Sequence, residues 1–232
     1  MEFICLLLIS RYSTNITSDS QKGGYYGKAR TEMLEFVPRD AKRVLDVGCA
    51  EGVFSALVKK VRGAEVWGIE MDEAAAARAQ GKIDTVLVGD ITSLLDKLPE
   101  AYFDCIVCND VLEHLVDPYS VLSSFKGKLS VSGVVVFSLP NVRHLGNLKN
   151  LLLKKDWRYQ NEGILDKTHL RFFTEKSIRR MFADLGYEIS TMQGLRPVRS
   201  WKFTLLNILA CGQLSDARYF QFAGVARSRR AL

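Results

Sequence analysis

The chain has 232 residues, 47% of them hydrophobic, which is enough for one well-cored domain with a small appendage. Its 32 basic and 26 acidic residues leave a formal charge of +6. The basic residues are scattered in small clusters such as Lys59-Lys60, Lys154-Lys155 and Arg179-Arg180, so no nucleic-acid partner is expected. The five cysteines are odd in number and irregularly placed, which fits a reducing, cytoplasmic setting.

Residues 1–24 read as a partly flexible N-terminal extension. Its apolar run Phe3–Ile9 is far short of a membrane span, and Glu2 stands where a leader would carry basic residues. Peripheral contact with a membrane surface stays open as an alternative. From Tyr25 to Pro38 the pattern is helical, through Met33, Leu34 and Phe36, and the segment around Tyr25 and Tyr26 is a candidate lid.

From there strands and helices alternate. Strands are expected at 43–47, 65–70, 84–88, 103–108 and 133–138. Helices are expected at 52–62, 73–80 and 118–129, with a short irregular piece at 91–97. Asp117-Pro118 combines an N-cap acid with proline at the first helical position. Such alternation implies an α/β domain, a doubly wound parallel sheet with helices on both faces. Cys105 and Cys108 form a C-x-x-C inside the fourth strand, where residues three apart point to opposite faces, so no zinc site and no other metal is read.

The second half is less regular. Asn141–Leu153 looks helical, residues 154–173 form a long loop rich in aromatic and charged side chains, and Thr174 and Gly186 bracket a further helix. Strand-like segments at 187–192 and 219–226 flank an apolar helical stretch at 199–211. The stripe Trp201, Leu205, Ile208 and Leu209 on that stretch reads as core, with a dimer face or a dock for a lipid-linked substrate behind it. A monomer and a homodimer are both compatible with this pattern.

The chemistry concentrates at Arg43-Val-Leu-Asp-Val-Gly-Cys-Ala-Glu-Gly52, a buried strand running into a glycine turn and a helix. Such a turn presents backbone N–H groups to a nucleotide-like ligand. A dinucleotide fingerprint would need glycine at 48, 50 and 53, where this chain has Gly48, Ala50 and Val53, which disfavours an NAD-dependent oxidoreductase. No Lys or Arg lies between 44 and 58, and Glu51 would repel a pyrophosphate while tolerating a ligand with a cationic tail. Glu70, closing the second strand, is placed to accept both hydroxyls of a ribose. Asp90 follows the third strand, where it can accept from an adenine amine, and Met71 and Ile91 can supply apolar faces for the ring.

These residues resemble a known family. Asp46-Val-Gly-Cys-Ala-Glu-Gly52, Gly68-Ile-Glu70, Gly89-Asp90-Ile91 and Phe103-Asp through Asn109-Asp-Val-Leu-Glu-His114 match, in order, the motifs of class I S-adenosylmethionine-dependent methyltransferases. One departure is Ala50, where the family usually has glycine. The resemblance implies a Rossmann-like, seven-stranded, mostly parallel sheet whose last strand, at 219–226, runs antiparallel. It implies one methyltransferase domain over 25–232, with substrate-side loops at 141–173 and 195–215, and S-adenosylmethionine as cofactor. It places Gly48, Glu70, Asp90 and Asn109 on the cofactor, together with Asp46, Cys49, Ala50 and Gly52 of the turn. The stretches Asp110–Leu115 and Asp166–Thr174 look like a subgroup acting on small-molecule or glycan hydroxyls, with some members in polysaccharide or lipopolysaccharide biosynthesis.

A neutral hydroxyl is a poor nucleophile, so a base is wanted, and His114 and His169 lie where one belongs. Each also admits a structural role, His114 in capping its helix and His169 in bonding loop backbone. His144 is expected at the surface. Tyr26, Trp157, Tyr159 and Arg171 are candidate acceptor contacts, with Phe172 and Phe173 either extending an aromatic wall or closing the core. N-methylation of an amine, as on an amino sugar, and a non-catalytic cofactor-binding module remain the rival functions.

Overall fold

The computed structural model describes residues 30–229. The extension 1–24, the lid at Tyr25 and Tyr26, and Tyr26 as an acceptor contact lie outside the described residues. In chain order the elements are β1 (Arg43–Val47), α1 (Val53–Arg62), β2 (Glu65–Glu70), α2 (Glu73–Gln80), β3 (Thr85–Val88), α3 (Ile91–Leu94) and β4 (Phe103–Asn109). They continue as α4 (Pro118–Lys128), β5 (Leu129–Pro140), α5 (Leu145–Leu153), α6 (Glu175–Asp184), β6 (Tyr187–Pro197), α7 (Trp201–Leu209) and β7 (Tyr219–Ser228).

The sheet has seven strands in the order β3-β2-β1-β4-β5-β7-β6. The pairs from β3 across to β5 are parallel, and β7 runs antiparallel to both β5 and β6. This is the Rossmann-like arrangement with an antiparallel final strand. Because β1 pairs with both β2 and β4, the winding reverses beside β1 and leaves a crevice at the carboxyl ends of these strands.

Strand alternation builds two cores. Val44, Val66, Cys105, Val107, Val134 and Val136 face α1 and α2, sharing one cluster with Phe54, Val58 and Ala79. Leu45, Val47, Ile106, Cys108, Val135 and Phe137 face the other way, onto Leu122 and Phe125 of α4 and Ile178, Met181 and Phe182 of α6. Cys105 and Cys108 therefore lie on opposite sides of the sheet. Thr174 and Ser177 close a capping box at the start of α6, a feature worth about 1 kcal/mol.

Several expectations are corrected. Within the described residues, the helix expected up to Pro38 is only a 3-10 turn over Thr31–Glu35. The helix expected from Asn141 begins at Leu145: the Asn141 amide donates to the carbonyls of Asp216 and Tyr219, and a turn closed by His144 N–H on the Asn141 carbonyl precedes the helix. His144, expected at the surface, is half-buried, caps α5 through Gly146 N–H and packs on Phe220; burial lowers its pKa. The largest correction concerns α7, where Phe203 and Leu206 are the buried residues. Trp201, Leu205, Ile208 and Leu209, read as core, face outward.

Candidate active site

The turn after β1 is held from beneath. The N–H groups of Gly48 and Cys49 both donate to the Ile69 carbonyl, at 2.8 and 3.0 Å. Gly48 has φ of 70°, and a Cβ there would stand 2.8 Å from Val111 Cγ2, so the residue must be glycine for two reasons. Ala50 adopts φ of 49°, the left-handed region that costs a residue with a Cβ roughly 1 kcal/mol. Gly52, with φ of 71°, lets α1 start against Ala79 of α2, where a Cβ would meet backbone and side chain at about 3 Å.

Glu70 stands at the mouth of this turn. Its Oε2 accepts from Ala50 N–H at 2.8 Å and its Oε1 from Asp72 N–H at 2.9 Å. A carboxylate offers about four lone-pair positions, so about two stay available to hydroxyl donors. Asp90 caps α3 through Thr92 N–H and Thr92 hydroxyl, both on Oδ1, which leaves Oδ2 without a partner among the described residues. Met71 is 67% exposed and can cover a flat ring. Asn109 ends β4 with its Oδ1 buried and without a hydrogen-bond partner among the described residues, an acceptor suited to a cationic donor.

Asp46, Cys49, Gly52 and Ile91, four of the residues expected on the cofactor, also have structural parts. Asp46 is almost fully buried and accepts from the Ser55 hydroxyl of α1 at 2.5 Å. Burial, reinforced by the Glu70 charge, pushes its pKa up to about 7. The Cys49 and Ile91 side chains lie in the two cores, and Gly52 serves helix packing. Cations also reach the turn from a direction that local sequence does not reveal. Arg78 of α2 pairs with Glu51 at 3.0 Å, and Lys82 Nζ donates to the Glu51 carbonyl at 2.6 Å.

Beyond β4, a 3-10 turn over Leu112–His114 meets the loop 154–173. The His114 Nδ1 lies 3.2 Å from the Thr168 carbonyl, and His169 Nδ1 lies 3.0 Å from the Ile164 carbonyl. A carbonyl only accepts, so each Nδ1 carries a proton, and in a neutral ring the lone pair then sits on Nε2. The two rings meet edge to face at 4.7 Å. Burial, helped by the charge of His169, lowers the His114 pKa and keeps that ring neutral near pH 7.

Glu113, which sequence reasoning passed over, sits beneath both rings. It is 1% exposed, and neither carboxylate oxygen has a hydrogen-bond partner among the described residues. Its Oε1 is 4.0 Å from His169 Nε2. Burial and then the Asp110 charge push its pKa well above the usual carboxylate range. Ligand-type atoms of Glu113, His114 and His169 lie within 4.8 Å of one another, so the three can share a proton or a cation. The adjacency of Glu113 and His114 in sequence was visible, but their meeting with His169 depends on the fold of the loop.

A second missed group closes the carboxyl edge. Arg30 pairs with Asp110 and donates to Ser138 Oγ at 3.3 Å, while the buried Ser138 hydroxyl donates to Asp110 Oδ1 at 2.9 Å. Of the acceptor candidates, Trp157 and Tyr159 pack on Phe172 at 5.3 and 6.3 Å, whereas Phe173 belongs to the core. Arg171 is exposed and donates to the Val116 carbonyl at 2.5 Å, which ties the loop to the segment after β4.

A family model described as a methyltransferase domain matches residues 19–191. The ubiquinone biosynthesis O-methyltransferase of Histophilus somni (strain 2336) is 37% identical over 122 residues, covering 47% of this chain and 51% of that protein. The protein of the same name from Pseudomonas putida (strain W619) is 40% identical over 113 residues, 46% of this chain and 48% of its own length. The chain spans about half the length of the curated relatives it matches. A SAM-dependent methyltransferase from Archaeoglobus fulgidus superposes with a TM-score of 0.63 at 22% identity, covering 84% of this chain and 91% of that one. An S-adenosylmethionine-dependent methyltransferase from Mesorhizobium loti gives 0.59 at 19%, over 88% and 100%. At such identities the likeness is one of fold. The family model, by contrast, spans most of the sequence and includes the glycine turn, Glu70, Asp90 and Asn109. The chain belongs to the methyltransferase-domain family of class I architecture.

Proposed function

We propose that the chain binds S-adenosylmethionine in the crevice over β1, β2 and β4 and methylates a hydroxyl of a small molecule. The observation that carries the cofactor assignment is Glu70, fixed by two backbone N–H groups beside the Gly48–Gly52 turn with acceptor capacity left for two ribose hydroxyls. Asp90 Oδ2 suits the adenine amine, Met71 the ring face, and the unpartnered Asn109 Oδ1 the ammonium of the methionine tail. Bound there, the cofactor supplies a methyl group on positively charged sulfur.

The acceptor hydroxyl gives its proton to the Nε2 of His114. That ring is neutral near pH 7, oriented by Thr168, and more open than His169. His169 is buried between Glu113 and the His114 ring and acts as a positioning residue. The names of the curated relatives favour an O-methylation, and none of them speaks for a glycan precursor as acceptor. Calorimetry with S-adenosylhomocysteine tests the reading, comparing the wild type with Glu70→Ala. Micromolar binding by the wild type and its loss in the variant are expected; no binding by the wild type would overturn it.

A further inference from the structure

Helix α7 is apolar on two sides. Phe203 and Leu206 join Leu145 of α5 and Ala217 in a small core of their own, apart from the two cores of the sheet. On the opposite side Trp201, Leu205, Ile208 and Leu209, spaced as i, i+4, i+7 and i+8, form a second stripe. Trp201 is 72% and Ile208 66% exposed among the described residues. Leu151 and Leu152 at the end of α5 are exposed as well. Only one of its two apolar sides has an apolar neighbour among the described residues.

The charged residues within α5 and α7 are all basic; Asp156 and Asp216 lie just beyond these helices, and Asp216 is paired with Arg143. No Asp or Glu occurs from residue 118 to 155, nor from 189 to 215. The same stretches carry Lys149, Lys154, Lys155, Arg199 and Lys202, and none of these five makes an ion pair among the described residues. Two copies meeting through a two-fold interface would bring the same basic surfaces against each other, which disfavours self-association. An apolar stripe with a tryptophan at its edge and lysines around it instead complements an anionic bilayer. Apolar side chains enter the acyl boundary, the indole sits at headgroup level, and the lysines meet lipid phosphates.

We propose that the outer face of α7, with the basic end of α5, docks the protein on an anionic lipid surface. No helix among the described residues is long and apolar enough to cross a membrane, so the contact is peripheral. Two kinds of side chain share the work, and the salt dependence separates them, because screening weakens the lysine part and spares the apolar part.

Sedimentation of the full chain with vesicles tests this, using phosphatidylcholine alone and phosphatidylcholine mixed with phosphatidylglycerol. The wild type is expected to pellet with the mixed vesicles, and added salt should weaken that binding. The triple variant Lys154→Glu, Lys155→Glu, Lys202→Glu should lose on the order of 100-fold in affinity for the mixed vesicles. The double variant Trp201→Gln, Ile208→Asn should lose binding to a similar extent, with residual binding that disappears at high salt. Unchanged circular dichroism and S-adenosylhomocysteine affinity would show that both variants are folded. Failure of the wild type to bind mixed vesicles would overturn the proposal. Equal binding by all three proteins would overturn it too. So would a wild-type dimer that Trp201→Gln, Ile208→Asn dissociates, since the stripe would then belong to a second copy.

Discussion

The Glu70 carboxylate accepts the Ala50 N–H at 2.8 Å, so the side chain that closes β2 also fixes the turn that follows β1. Glu70 is thus a structural tie as well as the acid we propose for the ribose, and substitution probes both roles. Glu70→Gln retains one oxygen for the Ala50 N–H but loses the charge and the second oxygen, so a donor faces the Asp72 N–H. Charged hydrogen bonds contribute about 1.5–3 kcal/mol each, so S-adenosylhomocysteine should bind on the order of 10- to 100-fold more weakly. Stability should fall by about 1 kcal/mol, the worth of one lost hydrogen bond. A Gln variant that binds like wild type would remove Glu70 from the cofactor contacts, and isothermal calorimetry decides it.

Ala50 is the one departure from the family's glycine turn, and its φ of 49° shows the cost. Replacing it with glycine relieves left-handed strain and gives back part of the gain as unfolded-chain entropy. Ala50→Gly is expected to raise the unfolding free energy by about 0.5 kcal/mol in urea titrations, with cofactor affinity kept. A destabilised variant would mean that the Ala50 methyl packs usefully despite its backbone.

The legibility of this chain follows the physics of each segment. Strands β1 and β2 match their expected bounds because both are apolar runs cut off sharply by charge or glycine. Strand β6 runs five residues past its expected end at 192, to Pro197, because Gln193, Gly194 and Arg196 lie on an edge strand and carry no apolar signal. The two sides of α7 are equally apolar in sequence, so nothing local says that Phe203 turns inward and Trp201 outward. The glycine turn, Glu70 and Asp90 were readable since each sits at a strand end. Glu113 was not, because its burial beneath two histidines is set by a loop more than forty residues further on, where Leu170 and Arg171 N–H groups close on the Glu113 carbonyl.

His114 and His169 make separable predictions. Burial lowers the His114 pKa below the ordinary 6.5, so the neutral ring predominates at pH 6.5 and protonates at more acid pH. Catalytic efficiency should therefore climb with pH along a limb centred below 6.5 and then level off. His114→Ala should abolish that limb and cost on the order of 100-fold or more in turnover, with S-adenosylhomocysteine affinity retained. His169→Ala should keep a limb and shift it to higher pH, because a neighbour that disfavours the His114 cation is gone. Both effects should persist in protein dialysed against EDTA. Unchanged turnover in His114→Ala would favour amine methylation, which needs no base; a rate restored only by added metal would make the cluster a cation site.

Asp46 carries a pH dependence of stability with the opposite origin. Its folded pKa is about 7, against 3.8 for the free side chain, because burial penalises the carboxylate. The native state holds a proton that the unfolded chain releases, so the contribution is complete below pH 3.8 and is lost as pH rises towards 7. A shift of this size corresponds to a few kcal/mol. Asp46→Asn keeps an acceptor for the Ser55 hydroxyl and cannot ionise. The variant should match the wild type in urea titrations near pH 4 and exceed it at pH 8, with the gap opening between those values. Equal stability of the two proteins at pH 8 would show that the Ser55 hydrogen bond compensates the buried charge in full, and that the turn after β1 tolerates an anion beneath it.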